Sequence, residues 1–218
     1  MRFNLEEFKE EQIRLARKII TKDDFEEINL IAGVDQAFFE NKIISAIAVC
    51  EYPSMKLIEE KYAVVEAKIP YIPGYLGFRE SPAVLDAFTQ LENRPHLLIV
   101  DGHGIAHPRK FGIASQLGLM LDIPTIGIAK KLLVGEIKDD KVYVEDELRG
   151  RLVKTREHAN PLIVSVGHRI SLKTAMEIIE KSTIPPHKLP EPLHIAHRYA
   201  DKIREEEINK IQNKVKIN

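Results

Sequence analysis

Short apolar runs bounded by turn residues alternate with stretches of helical spacing along this chain. A segment from about Leu5 to Ile20 repeats its apolar positions at the helical period. Leu30-Ile31-Ala32-Gly33-Val34-Asp35 then reads as a buried strand, and Lys42 to Val49 and Lys56 to Ala67 as two more. Three strands at hairpin spacing predict an antiparallel meander. Beyond it, a helix is expected from Pro82, with Ser81 as N-cap, Glu80 just outside, and Val84, Leu85, Phe88 and Leu91 on one face. A strand at Leu97 to Val100, a helix from Pro108 striped by Phe111, Ala114, Leu117 and Leu121, and a strand at Thr125 to Ala129 follow. That alternation predicts parallel βαβ packing. A strand pair near Arg149 to Lys154 and Leu162 to Val166, then helices near Leu172 to Lys181 and Glu191 to Asn209, come last. The expected fold is α/β, with a mixed central sheet flanked by helices. The turn after Val34 is Asp35-Gln36-Ala37-Phe38, without phosphate-cradling glycines, which argues against a doubly wound dinucleotide-binding fold.

At 218 residues and 44% hydrophobic, the chain can bury one sizeable core, and a single domain over residues 1–218 is expected. The longest polar stretch, about Lys138 to Asp146, suits a hairpin loop or an ordered insertion. No apolar run is long enough to cross a bilayer, and the acidic, mixed N-terminal stretch is unlike a secretory leader, so a cytoplasmic location without membrane contact is expected. The single Cys50 excludes an internal disulfide and a thiolate metal site. A formal net charge of −1 counts against a nucleic-acid binder, since such domains are commonly basic, but distribution matters more than the sum. Local basic clusters remain at Arg109 and Lys110, Lys130 and Lys131, and Arg169 and Lys173.

Two segments carry unusual chemistry. In Val100-Asp101-Gly102-His103-Gly104-Ile105-Ala106-His107-Pro108-Arg109, a carboxylate ends an apolar strand, where open α/β sheets place their sites, and glycines bare the loop backbone that follows. In Lys68-Ile69-Pro70-Tyr71-Ile72-Pro73-Gly74-Tyr75-Leu76-Gly77-Phe78-Arg79-Glu80, prolines on both sides of Tyr71 and Ile72 fix two φ angles and stiffen an aromatic tip, as a wedge requires.

These segments, with Asp122-Ile123-Pro124-Thr125-Ile126-Gly127-Ile128-Ala129-Lys130, resemble the endonuclease V family of deoxyinosine-specific repair nucleases. The resemblance runs from about Ile31 to Asp201 and implies a ribonuclease H-like fold, in agreement with the strand pattern. It also implies cleavage of the second phosphodiester 3′ to deoxyinosine, leaving 3′-hydroxyl and 5′-phosphate ends.

By that resemblance Asp35, Glu80 and Asp101 bind Mg²⁺, with Mn²⁺ as an expected substitute. Magnesium prefers such oxygen ligands, supplemented by water and substrate phosphate. His197 stands where the family has Asp or His; direct ligation, orientation of water and simple packing are all open to it. Lys130 resembles the family lysine beside the scissile phosphate, the alternative being a solvated strand end. His107 and Arg79 are expected either to contact phosphate or to position loops, and His103 to bond its loop. Gly74, Leu76, Gly102 and Ile113 match the family's base pocket. There, an N–H directed at O6 and a C=O directed at N1–H would reject adenine, and steric closure at C2 would reject guanine. Tyr71 would fill the gap left by the extruded base, with Pro70, Ile72 and Pro73 of its loop also at the substrate. The expected partner is deoxyinosine-containing DNA, with inosine RNA or a broader range of distorted strands as alternatives, and the expected state is a monomer. A non-catalytic inosine-binding module is the reading from another class, opposed by the presence of Asp35, Glu80, Asp101 and Lys130.

Overall fold

The computed structural model describes residues 4–217. Helix α1 (Leu5–Ala16) is capped by the Asn4 side chain, which accepts the Glu6 N–H. Strands β1 (Leu30–Phe39), β2 (Lys42–Glu51) and β3 (Leu57–Glu66) form the antiparallel meander. After α2 (Leu76–Thr89) come β4 (Leu97–Asp101), α3 (Ile113–Leu121) and β5 (Thr125–Ala129), with β1, β4 and β5 mutually parallel. A second antiparallel set follows: β6 (Glu136–Lys138), β7 (Lys141–Val144), β8 (Glu147–Val153) and β9 (Leu162–His168). Helices α4 (Leu172–Ser182) and α5 (Glu191–Ile217) come last. Among the described residues the strands make one nine-stranded sheet in the order β3-β2-β1-β4-β5-β9-β8-β7-β6.

The two-residue side-chain period of a strand divides the core. Ala32 and Val34 of β1 and Leu98 and Val100 of β4 meet Val84, Ala87 and Phe88 of α2 and Ala114 and Leu117 of α3. Ile31, Leu97 and Ile99 face the other way, toward Ala175, Ile178 and Ile179 of α4 and Leu193 of α5. By the same alternation Asp35 and Asp101 point to the α5 side.

Two helix starts differ from the expected ones. Helix α2 begins at Leu76, so Ser81 and Pro82 lie inside it and Glu80 is a helical residue rather than one just outside. Pro82 removes one intrahelical hydrogen bond. Burial of Gly77, Glu80, Ser81, Ala83 and Val84, and stacking of Phe78 on Phe8 at 4.4 Å, hold the added first turn nonetheless. Helix α3 begins at Ile113, not at Pro108. The Lys110 N–H returns to the His107 carbonyl, and the Gly112 N–H returns to the Gly104 carbonyl, so the chain turns back on itself before the helix starts. Phe111 precedes the helix but is still fully buried. Helix α1 also stops at Ala16, short of Ile20.

The start of α5 rests directly on β1. A Cβ added to Gly33 would lie 2.3 Å from the Leu193 nitrogen and the Pro192 carbonyl carbon. Backbone cannot yield there as a side chain would, and overpacking of this kind costs about 1–3 kcal/mol. Gly33→Ala should therefore lower the unfolding free energy by at least that amount, seen as an earlier midpoint in urea titration.

Candidate active site

Asp35, near the middle of β1, is buried, and its Oδ2 lies 2.5 Å from Nδ1 of His197 on α5. Its Oδ1 accepts the Gln36 N–H. One turn along α5, Asp201 approaches the other ring nitrogen of His197 at 3.7 Å and pairs with Arg204 at 3.0 Å. Asp101, the last residue of β4, accepts a hydrogen bond from Lys130, just beyond β5, at 2.9 Å. Glu80 enters from α2 and is nearly fully buried.

These acids feel one another. Burial, and then the negative charge of Asp101, push Asp35 up to about 6, against the opposing pull of His197. Burial likewise lifts Glu80 to about 8; Arg79 opposes the rise, and Asp35 and Asp101 add to it. Lys130 is raised above its ordinary value by Asp101, Asp35 and Asp201, which outweigh its own partial burial. Among the described residues no three His, Cys, Asp or Glu side chains converge closely enough to hold a metal ion as they stand. Asp101 is turned to Lys130 and Asp35 to His197. The donor chemistry nonetheless fits a hard divalent cation: carboxylate oxygens from separate elements, two of them buried and repelling one another.

Beside this acidic cluster lies a cavity of about 270 Å³. Tyr71, Pro73, Gly74 and Leu76 line one side, His103, His107, Phe111 and Ile113 another, and Lys131, Leu132 and Leu133 a third. Of the four expected pocket positions, Gly74, Leu76 and Ile113 are on its wall. Gly102 backs onto Ile113, where a Cβ would come within 2.4 Å of Cγ2, and its N–H is bonded to the Ile128 carbonyl. The segment from Pro70 to Pro73 is irregular, and Tyr71 is 68% exposed at its tip.

His107 and Arg79 both brace backbone. His107 Nδ1 accepts the Arg109 N–H, so the neutral ring carries its proton on Nε2 and donates it to the Gly74 carbonyl at 3.0 Å. Burial, with Arg109 nearby, pushes its pKa down to about 4, so the ring is neutral at physiological pH. Arg79 donates to the Ile69 carbonyl and lies over the Phe38 ring at 5.5 Å. His103 lines the cavity, and its Nε2 is shielded from solvent.

Three residues in this neighbourhood were not among the candidates singled out from the sequence. Asp201 carried a usable signal, since it stands four residues after His197 on one helix and so shares its face. Gln12 looked like any polar position of an amphipathic helix, yet it is fully buried. Arg149 is also buried, donating to the His107 carbonyl at 2.9 Å, and nothing in its local sequence marks it.

An open mixed sheet with this strand order, carrying Asp35 and Asp101 on adjacent central strands, is the ribonuclease H-like arrangement. The chain belongs to the endonuclease V family, whose sequence profile matches residues 13–198. It is 44% identical over 205 residues to an endonuclease V of Dictyoglomus thermophilum, covering 88% of this chain and 90% of that one. Endonuclease V of Streptomyces avermitilis superposes with a TM-score of 0.88 at 31% identity, covering 95% of this chain and 96% of the other. Endonuclease V of Ciona intestinalis, solved with a 23mer DNA containing an inosine followed by a ribo-adenosine, gives 0.85 at 27% identity, over 93% and 97% of the two chains.

The raised acids have a consequence for stability. A carboxyl whose folded pKa is raised contributes stability that is fully present below its unfolded pKa and lost as pH rises through the folded value. For Glu80 that window runs from 4.5 to about 8. In chelator-treated buffer at pH 9, Glu80→Gln should melt above the parent protein by at least about 2–4 °C, the shift that about 1 kcal/mol gives in a chain of this size. The advantage should vanish below pH 4, which paired thermal melts across the range would show.

Proposed function

We propose that this enzyme nicks strands containing deoxyinosine, using a divalent cation, at the second phosphodiester bond 3′ to the lesion, and leaves 3′-hydroxyl and 5′-phosphate ends. The observation that carries the reading is adjacency: His103 follows Asp101 by two residues and Lys131 follows Lys130 by one, so the cavity wall and the acidic cluster share their connecting backbone. A cavity of about 150 Å³ takes benzene, and 270 Å³ suits a bicyclic base. The Ciona relative's inosine-containing DNA supports the same choice of ligand.

Asp35, Glu80 and Asp101 are the residues that would hold magnesium, or manganese in its place. When bound, such a cation supplies activated water and charge stabilisation at the departing oxygen. His197 holds the Asp35 carboxylate in place through its ring nitrogen. Lys130, already paired with Asp101, is a compact cation placed to stabilise negative charge growing on phosphate. Gly74, Leu76 and Ile113 present backbone and apolar surface to the base. A base that leaves buried polar groups unpaired is rejected by about 10⁴ to 10⁵ at best. Tyr71, on its proline-stiffened loop, fills the space that the extruded base vacates.

The direct experiment is cleavage of matched strands carrying deoxyinosine, riboinosine, uracil or an abasic site, with magnesium, calcium or no metal. Magnesium-dependent nicking 3′ to deoxyinosine is expected; equal cutting of all four would replace the reading with a distortion-selective nuclease, and riboinosine preference with an RNA enzyme. Asp35→Ala or Asp101→Ala should reduce the single-turnover rate at least about a hundredfold while the variants stay folded, and a near-parental rate would remove the metal-centre assignment.

The wedge is tested separately. Tyr71→Ala should weaken binding to the deoxyinosine strand by about ten- to hundredfold, since stacking contributes about 1–3 kcal/mol per base, whereas Tyr71→Phe keeps the ring and should bind as the parent does. Binding curves in calcium give the comparison, and equal affinities for all three proteins would reduce the loop to a rigid turn.

A further inference from the structure

The Gly74 carbonyl oxygen receives three side-chain donors: Gln12 Nε2 at 3.0 Å, His107 Nε2 at 3.0 Å and Arg109 Nη2 at 2.8 Å. The other end of the same peptide is also held, because the Tyr75 N–H donates to the Ile72 carbonyl at 3.0 Å. Rotating that peptide would break four hydrogen bonds at once. Gly74 itself has φ +80°, and a Cβ there would meet Arg109 Nη2 at 3.1 Å, so the bare backbone and the clamp go together. The peptide joins the wedge loop to α2 and forms part of the cavity wall.

Gln12 is the member of this clamp that only an amide can supply. Its Nε2 donates to both Gly74 and, at 3.3 Å, the Phe111 carbonyl, while its Oε1 accepts from Arg109 Nε at 2.5 Å. A flipped amide would set oxygen against two carbonyls and nitrogen against a guanidinium, so the network fixes its orientation. Glutamate has no donor for the carbonyls, and methionine has neither function. Gln12 is 1% exposed and lines the cavity beside both backbone segments that it ties. Arg109 is half-buried, stacks on the Tyr75 ring at 4.5 Å and closes the circuit.

We infer that Gln12, with Arg109, is a positioning residue for base discrimination: it fixes the Gly74 peptide and the Phe111 backbone at the spacing that admits hypoxanthine and refuses guanine. This rests on the base-cavity reading above and adds to it a selectivity element from a helix outside the sheet. Slackening the clamp widens the cavity wall, so the loss falls on the distinction between bases more than on turnover of bound substrate.

The test uses the full chain and two strands that differ only by deoxyinosine or deoxyguanosine at one position. Half-saturation and plateau rate are read from single-turnover cleavage against enzyme concentration in magnesium, and thermal midpoints are recorded alongside. Gln12→Met and Gln12→Glu should each reduce the inosine-to-guanine preference by about tenfold, the scale of one buried hydrogen bond left unmade. The change should appear in half-saturation more than in plateau rate. Arg109→Lys, at the more exposed end of the clamp, should shift the preference in the same direction, and combining it with Gln12→Met should add less than the sum of the two. It also supplies the comparison if the Gln12 variants do not fold. Lower melting with an unchanged preference would make Gln12 a structural brace and overturn the inference while leaving the cavity reading intact. A parent enzyme that does not distinguish the two strands would overturn both.

Discussion

The close approach of α5 to β1 at Gly33 is the constraint on which the centre of this molecule depends. With no side chain at Gly33, the Pro192–Leu193 backbone settles against the strand, and His197, just over one turn further on, reaches Asp35, two residues along β1. A wider separation would leave the buried carboxylate without its ring partner. Asp201, four residues on, arrives by the same placement and extends the charged row toward Arg204.

Asp35 and Glu80 are held under electrostatic tension. Burial of Asp35 and Glu80 costs stability, because burial raises both, Asp101 adds to the rise of each, and Asp35 adds to that of Glu80. Lys130 relieves part of it through Asp101. On the function proposed above, a bound cation and a phosphate would resolve the remainder, and stability and function would pull in opposite directions at Glu80.

The cavity is built differently from the acidic cluster. The acidic cluster is made by β1, the end of β4 and a helix face, whereas the cavity beside it includes loop backbone bared by glycine and fixed by the buried Gln12 and His107 and the half-buried Arg109. His107, kept neutral by burial, and Arg149 beneath it serve the loop from Gly102 to Gly112 in the way Gln12 and Arg109 serve Gly74. Under the proposed function, a stiff frame would suit a task in which bases differing by one substituent must be told apart.

The sequence by itself determined the antiparallel meander and the strand–helix alternation after it, because an apolar period of two, hairpin spacing and helix alternation are local properties that burial on a sheet reads out directly. The polar stretch about Lys138 to Asp146, read as a loop or insertion, instead supplies β7 and the end of β6, and the pairing of β9 with β5 was set by the fold. It also determined the candidate acids, the proline-stiffened tip at Tyr71 and the family, since each is carried by residue type and spacing. The helix starts were decided by tertiary packing. Pro82 reads as a helix start with Ser81 as its cap until burial of Glu80, Ser81 and Val84 carries the helix back to Leu76, and Pro108 looks like a helix start until the chain folds back from Lys110 to His107 and from Gly112 to Gly104. Gln12 and Arg149 were invisible for the same reason. A polar residue gives no local sign that it will be buried, because its partners, Gly74 and Phe111 for one and the His107 carbonyl for the other, are brought to it only by the fold.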